Sequence, residues 1–156
     1  MTHEESPLQW DVFLSYNLKD QNAVREIAAY LHDEAKLQPW FDEWSLIPGD
    51  TLTANIHAGL AASKTAAVFI GPSGCGPWQN TELEEALNKA RKRMGFRVIP
   101  VILPGVPNPP VLPPFLEHFP YVSLQPGPDN TTPLWRLECG VRGVPPGRHP
   151  PPRRTN

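Results

Sequence analysis

Between Trp10 and Leu103 the hydrophobic period switches repeatedly from that of a strand to that of a helix and back, and this restricts the chain to few architectures. TrpAspValPheLeuSerTyr (Trp10 to Tyr16) is rich in strand formers, after which Val24, Ile27, Ala28, Leu31 and Ala35 recur at helical spacing. A second strand is expected over Leu37 to Phe41. It is followed by a polar turn with Pro48 and Gly49, then by a helix capped by Asp50 or Thr51 that buries Leu52, Ile56 and Leu60. Thr65 to Ile70 reads as a third strand. Leu83, Ala86, Leu87 and Ala90 form the apolar stripe of a helix that runs to about Met94 and is ended by Gly95. The near-continuous apolar run from Arg97 to Leu103 suits a fourth strand covered on both faces. Strands alternating with helices predict a parallel, doubly wound α/β sheet, and with five strands the flavodoxin-like order 2-1-3-4-5.

Proline use then changes: five of the 21 prolines precede residue 100 and sixteen follow from there. Pro104 to Pro114 excludes a regular helix, so the fourth crossover is expected as loop, with a short edge strand near Tyr121. A last helix holds Leu134, Trp135 and Leu137. The expected organisation is an N-terminal extension over 1–9, one domain over 10–143 and a proline-rich, disordered tail or linker over 144–156. With 156 residues and 40% apolar composition the chain can bury a core of useful size. A net charge of −2 argues against a phosphate-tracking nucleic-acid binder, and the basic cluster Lys89 to Arg93 suits a helix C-terminus on a solvated face. Cys75 and Cys139 fit neither a metal spacing nor a disulfide scaffold, and His3, His32, His57, His118 and His149 lack metal spacing, so no metal is expected. A reducing cytoplasm is the expected compartment, since no signal peptide opens the chain and its longest apolar runs are strand-sized.

In such a sheet the ligand belongs at the carboxyl edge, at the switch point between strands one and three. Ser15 and Tyr16 end the first strand on one side of it, and the Gly71 to Trp78 loop lies on the other. That loop leads into a helix with Glu82 in its first turn and Trp78 one turn earlier, while Glu85 points away from the core and Glu84 falls on the opposite flank. From the residues alone, Glu82 serves the helix dipole more readily than a ligand. Trp40 and Phe41 suit core packing as readily as stacking, and Asp42 suits a turn cap as readily as a hydroxyl ligand. The loop glycines form no phosphate-binding P-loop, because no LysSer or LysThr follows them.

Three stretches, AspValPheLeuSerTyr (Asp11 to Tyr16), TrpPheAspGluTrpSerLeuIleProGlyAsp (Trp40 to Asp50) and Ser73…Trp78…Glu82-Leu83, closely resemble the signature segments of Toll/interleukin-1 receptor (TIR) domains in their bacterial form. The resemblance covers about residues 10 to 142. It implies one of two activities: cleavage of NAD+ at the nicotinamide–ribose bond, or noncatalytic assembly with other TIR domains. Under the first, Glu82 is the catalytic carboxylate, Ser15, Tyr16, Trp40, Asp42, Leu46 and Trp78 border the substrate, and NAD+ is substrate with no further cofactor. Bacterial antiphage defence is the expected setting. The exposed loop Glu43 to Asp50, with Trp44, Ile47, Pro48 and Gly49, is then the surface for TIR–TIR self-association. The segment AsnLeuLysAsp after Tyr16 and the proline-rich fourth crossover depart from the family pattern. A phosphoacceptor receiver on the same fold is disfavoured, because the first strand lacks the acidic pair that would hold magnesium.

Overall fold

In the computed structural model, residues 8–74, 80–124 and 131–148 are described. Five strands, β1 (Val12–Ser15), β2 (Pro39–Trp40), β3 (Thr65–Ile70), β4 (Arg97–Ile102) and β5 (Val122–Ser123), form one all-parallel sheet in the order β2-β1-β3-β4-β5. This is the expected flavodoxin-like topology, and the order reverses between β1 and β3. The helices are α1 (Gln21–Ala29), continued by a π-helical turn over Tyr30–Glu34, α2 (Asp42–Ser45), α3 (Leu52–Ala61), α4 (Asn80–Arg91) and α5 (Thr131–Arg142). None among the described residues is long and apolar enough to cross a membrane.

Alternation along the strands sorts the core into two layers. Val12 and Leu14 of β1, and Tyr16 just after it, face one side with Val24, Ile27, Ala28 and Leu31, and with Leu137 and Val141 of α5. Phe13 faces the other side with Leu60 of α3 and Leu83, Leu87 and Ala90 of α4. β3 carries apolar residues on both faces, and these five and Thr65 are all buried, as a central strand of a doubly covered sheet requires.

Two expectations change. Leu52, expected in the core, is 52% exposed, and the buried positions of α3 are Gly59 and Leu60. The stripe is displaced because the Trp40 indole lies directly beneath the glycine: a Cβ on Gly59 would stand 2.5 Å from Trp40 Cε2 and Nε1. Gly59→Ala is therefore expected to destabilise the fold by about 1–3 kcal/mol, partly offset by up to about 1 kcal/mol of better helix propensity. A melting temperature equal to or above that of the parent would contradict this packing. The polar turn expected after β2 begins instead with the helical turn α2, in which the Trp44 and Ser45 N–H groups both donate to the Phe41 carbonyl at 2.9 Å. Thr51 caps α3, its hydroxyl accepting from the Ala54 N–H at 3.3 Å, and Gly95 adopts φ +80° just beyond α4. Beyond the domain boundary expected near residue 143, the chain still touches α5 at Pro146, whose carbonyl accepts from Trp135 Nε1 at 3.0 Å.

Candidate functional site

The carboxyl ends of β1 and β3 flank the switch point, and the connection after each strand is built to fold over it. After β1, Asn17 caps a short 3-10 turn with its side-chain oxygen on the Lys19 N–H at 3.0 Å, while its amide donates to the Ser73 carbonyl at 3.2 Å across the crevice. After β3 the chain makes a tight turn in which Gly71 and Gly74 exchange backbone hydrogen bonds at 3.0 and 3.4 Å. Gly74 adopts φ +99°, a conformation that only glycine takes without strain. Gly71 is needed for another reason: a Cβ there would overlap the Asp20 carboxylate.

Ser15 ends β1 on the Phe13 side of the sheet, the side on which α4 packs, and it is 4% exposed. Its hydroxyl has no hydrogen-bond partner among the described residues. Tyr16 turns to the opposite side, packs at 5.7 Å against Phe41 and donates from its hydroxyl to Asp42 Oδ1. Burial, then the hydrogen bond to Asp42 and its negative charge, push the Tyr16 phenol well above its ordinary range, so it is a neutral donor. Asp42 Oδ1 also accepts from the Glu43 N–H at 2.7 Å, which anchors the first turn of α2. Next to it Arg25 of α1 grips Glu43 in a bidentate pair, Nε to Oε2 and Nη2 to Oε1, both 2.7 Å. This pair raises the Arg25 pKa and lowers that of Glu43.

The expected substrate residues are thus divided between two faces. Trp40 is buried on the α3/α4 side, stacked on Phe13 at 4.7 Å and 13°, and Leu46 packs partly buried on the same cluster. Tyr16 and Asp42 form a hydrogen-bonded pair on the α1 side. Glu82 is the third residue of α4, in its first turn, at the carboxyl edge of β3; its side chain, together with Trp78 and Cys75, lies outside the described residues. Glu84 and Glu85 are exposed.

The loop expected to mediate assembly is an exposed tip. Trp44 is 49% and Ile47 59% exposed, the Trp44 ring meeting Phe41 edge-on at 5.2 Å and His32 at 6.2 Å. The Asp50 N–H closes the turn on the Ile47 carbonyl at 3.1 Å, with Gly49 at φ +97° after Pro48. Leu52, absent from the expected surface because its period placed it inward, adds an exposed apolar group just beyond this tip. A groove of about 880 Å³ runs between α3 and α4, lined among others by His57, Glu85, Lys89 and Arg93, and none of the expected site residues lines it.

Comparison with known proteins agrees with this architecture. A family model described as a TIR domain matches residues 12–137. The chain is 36% identical over 67 residues to the NAD(+) hydrolase TcpA of Theionarchaea archaeon (strain DG-70-1), across 42% of this chain and 20% of that protein. It is 33% identical over 97 residues to the 2′ cyclic ADP-D-ribose synthase BtTIR of Bacteroides thetaiotaomicron, across 61% and 33%. It is 31% identical over 100 residues to the 2′ cyclic ADP-D-ribose synthase AbTIR of Acinetobacter baumannii (strain 1295743), across 63% and 36%. These matches span between a fifth and about a third of the relatives' own lengths. Among solved structures, a metazoan TIR-STING receptor from C. gigas shares the fold at TM-score 0.63 and 21% identity, covering 86% of this chain and 41% of that one. The TIR domain of the Toll-related receptor TRR-2 from Hydra magnipapillata does so at TM-score 0.51 and 17% identity, covering 86% and 94%. With the family model running from β1 into α5 and the sheet order matching, the chain belongs to the TIR domain family.

Proposed function

We propose that this domain cleaves NAD+ at the bond between nicotinamide and ribose, with Glu82 as the catalytic carboxylate. What supports the reading is the position of Glu82 in the first turn of α4, the helix that follows β3, in a domain whose bacterial and archaeal relatives are named as NAD(+) hydrolases and 2′ cyclic ADP-D-ribose synthases. The chemistry needs little else. As the C1′–N bond breaks, its electron pair passes to the pyridinium nitrogen and nicotinamide leaves neutral, so no metal and no general acid is required. Positive charge develops on the ribose, and a carboxylate held beside it stabilises that charge as it forms. A first-turn position favours the ionised form through the helix dipole. Capture of the ribosyl cation by water gives ADP-ribose, and capture by a hydroxyl of the same molecule gives a cyclic isomer. Exclusion of water from the crevice would select the second.

Around this centre Ser15 supplies a polar group on the α4 side, and the Tyr16–Asp42 pair supplies an acceptor on the α1 side. Trp40 and Leu46 support the crevice from within the core. Trp78 is assigned to the crevice wall. The setting we infer is intracellular, where NAD+ is held, in defence signalling set off by assembly. A second reading, a noncatalytic module that works through TIR–TIR contacts, is favoured by the exposed Trp44, Ile47 and Leu52. Following NAD+ by proton NMR with concentrated protein separates the two. Loss of the pyridinium resonances with appearance of free nicotinamide supports the enzyme, and unchanged spectra under enforced dimerisation support the module.

A further inference from the structure

Asp20 stands where a helix cap is expected, yet it does not cap. It precedes the first residue of α1, but its side chain makes no bond to that helix's free N–H groups. The carboxylate turns instead across the gap between β1 and β3 and lies against Gly71 at the end of β3, filling the space a Cβ would need. Oδ2 is buried there with no hydrogen-bond partner among the described residues, although the residue keeps part of its surface. Desolvation raises the Asp20 pKa, so this place disfavours the charged form of the carboxylate. At the end of β1, on the α4 side of the sheet, the Ser15 hydroxyl is also buried, with no hydrogen-bond partner among the described residues. These two are the buried side-chain oxygens without partners among the described residues, and both sit at the carboxyl edge where an open α/β sheet takes its ligand. A polar group left unsatisfied in an interior is destabilising, and a neutral side chain of the same shape would pack against Gly71 at less cost.

We propose that Asp20, with Ser15 opposite, is a substrate-binding acceptor for a ribose diol, two vicinal hydroxyls matching the two carboxylate oxygens. The assignment rests on the reading of the domain as one that takes NAD+, a molecule with two such diols. The contacts already made on this side of the crevice fit the role: the Asp20 N–H donates to the Asn17 carbonyl at 2.8 Å and Asn17 holds Ser73 across the gap, so the backbone bearing the carboxylate is fixed before any ligand arrives.

The test is a binding titration in the Glu82→Gln background, so that no probe is consumed, comparing Asp20 with Asp20→Asn. ADP-ribose carries both riboses, adenosine 5′-monophosphate the adenosine ribose alone, and nicotinamide mononucleotide the nicotinamide ribose alone. Asp20→Asn is expected to weaken ADP-ribose binding by about tenfold to a hundredfold, the range for a lost hydrogen bond to a charged group, while the melting temperature stays level or rises. The mononucleotide whose binding falls in parallel identifies the ribose that is held, and its 2′-deoxy analogue should bind both variants equally. Equal binding of all three probes to both variants, weakening fully explained by a lower melting temperature, or no binding of any probe to the parent would each overturn the proposal. Asp20-dependent binding of ADP-ribose by a domain that never cleaves NAD+ would leave this assignment standing and remove the catalytic one.

Discussion

Glu82→Gln is expected to lower NAD+ cleavage by about a hundredfold or more, the scale of removing one preorganised charge-stabilising group, while Glu84→Gln and Glu85→Gln keep most of the activity. The three glutamates share one helix but not one face. Leu83, Leu87 and Ala90 direct the stripe of α4 into the core, and Glu84 and Glu85 lie on exposed positions. Only Glu82 combines the first turn with the carboxyl edge of the sheet. Replacing a first-turn glutamate removes a dipole interaction of about 0.3–1 kcal/mol, so the variant should remain folded and its melting temperature should fall by no more than a few degrees. Activity lost equally in all three variants would point to general damage to the helix. Full activity in Glu82→Gln would remove the assignment.

The second large effect is expected from protein concentration. Trp44 and Ile47 are exposed apolar groups on a tip whose backbone is set by the Ile47–Asp50 turn and by Gly49, and whose base is held to α1 by Arg25 on Glu43 and to β1 by Tyr16 on Asp42. A rigid apolar tip docks with little loss of conformational freedom. If neighbouring domains complete the crevice, specific activity rises with concentration and enforced dimerisation raises it further. Ile47→Asp would put an unpaired charge into that contact and should remove the rise, leaving the monomer's stability within about 0.5 kcal/mol of the parent. Constant specific activity over a hundredfold range of concentration, with Ile47→Asp indistinguishable from the parent, would mean that one chain holds the whole site.

Much of this could be read from the residues because hydrophobic period and burial agree over most of the sheet. Thr65–Ile70 is a strand with the expected bounds, and Val24, Ile27, Ala28, Leu31 and Ala35 are all buried although a π-helical turn interrupts their helix. The short strands β2 and β5 were legible from their β formers, although β2 is confined to Pro39–Trp40 within the expected Leu37 to Phe41. What periodicity does not carry is long-range contact. The inward position of Gly59 is imposed by Trp40, nineteen residues earlier, and the outward position of Leu52 follows from the same packing. The division of Ser15 and Tyr16 between opposite faces is implicit in strand alternation. The pairing of Tyr16 with Asp42 is not, because it depends on how α2 folds back. Asp20 stood out in the sequence only as the end of the AsnLeuLysAsp segment that departs from the family pattern. Its seat on Gly71 across the switch point could not be read from spacing, since the two are joined only through the sheet.

The most direct test of the catalytic account is the release of nicotinamide, quantified by chromatography, from NAD+ incubated with domains held together by a fused dimerisation module, parent beside Glu82→Gln. One nicotinamide is expected per NAD+ consumed, with ADP-ribose or a cyclic isomer as the other product, and no release above background from the variant. Intact NAD+ with the assembled parent domain, or equal release from both proteins, would contradict it.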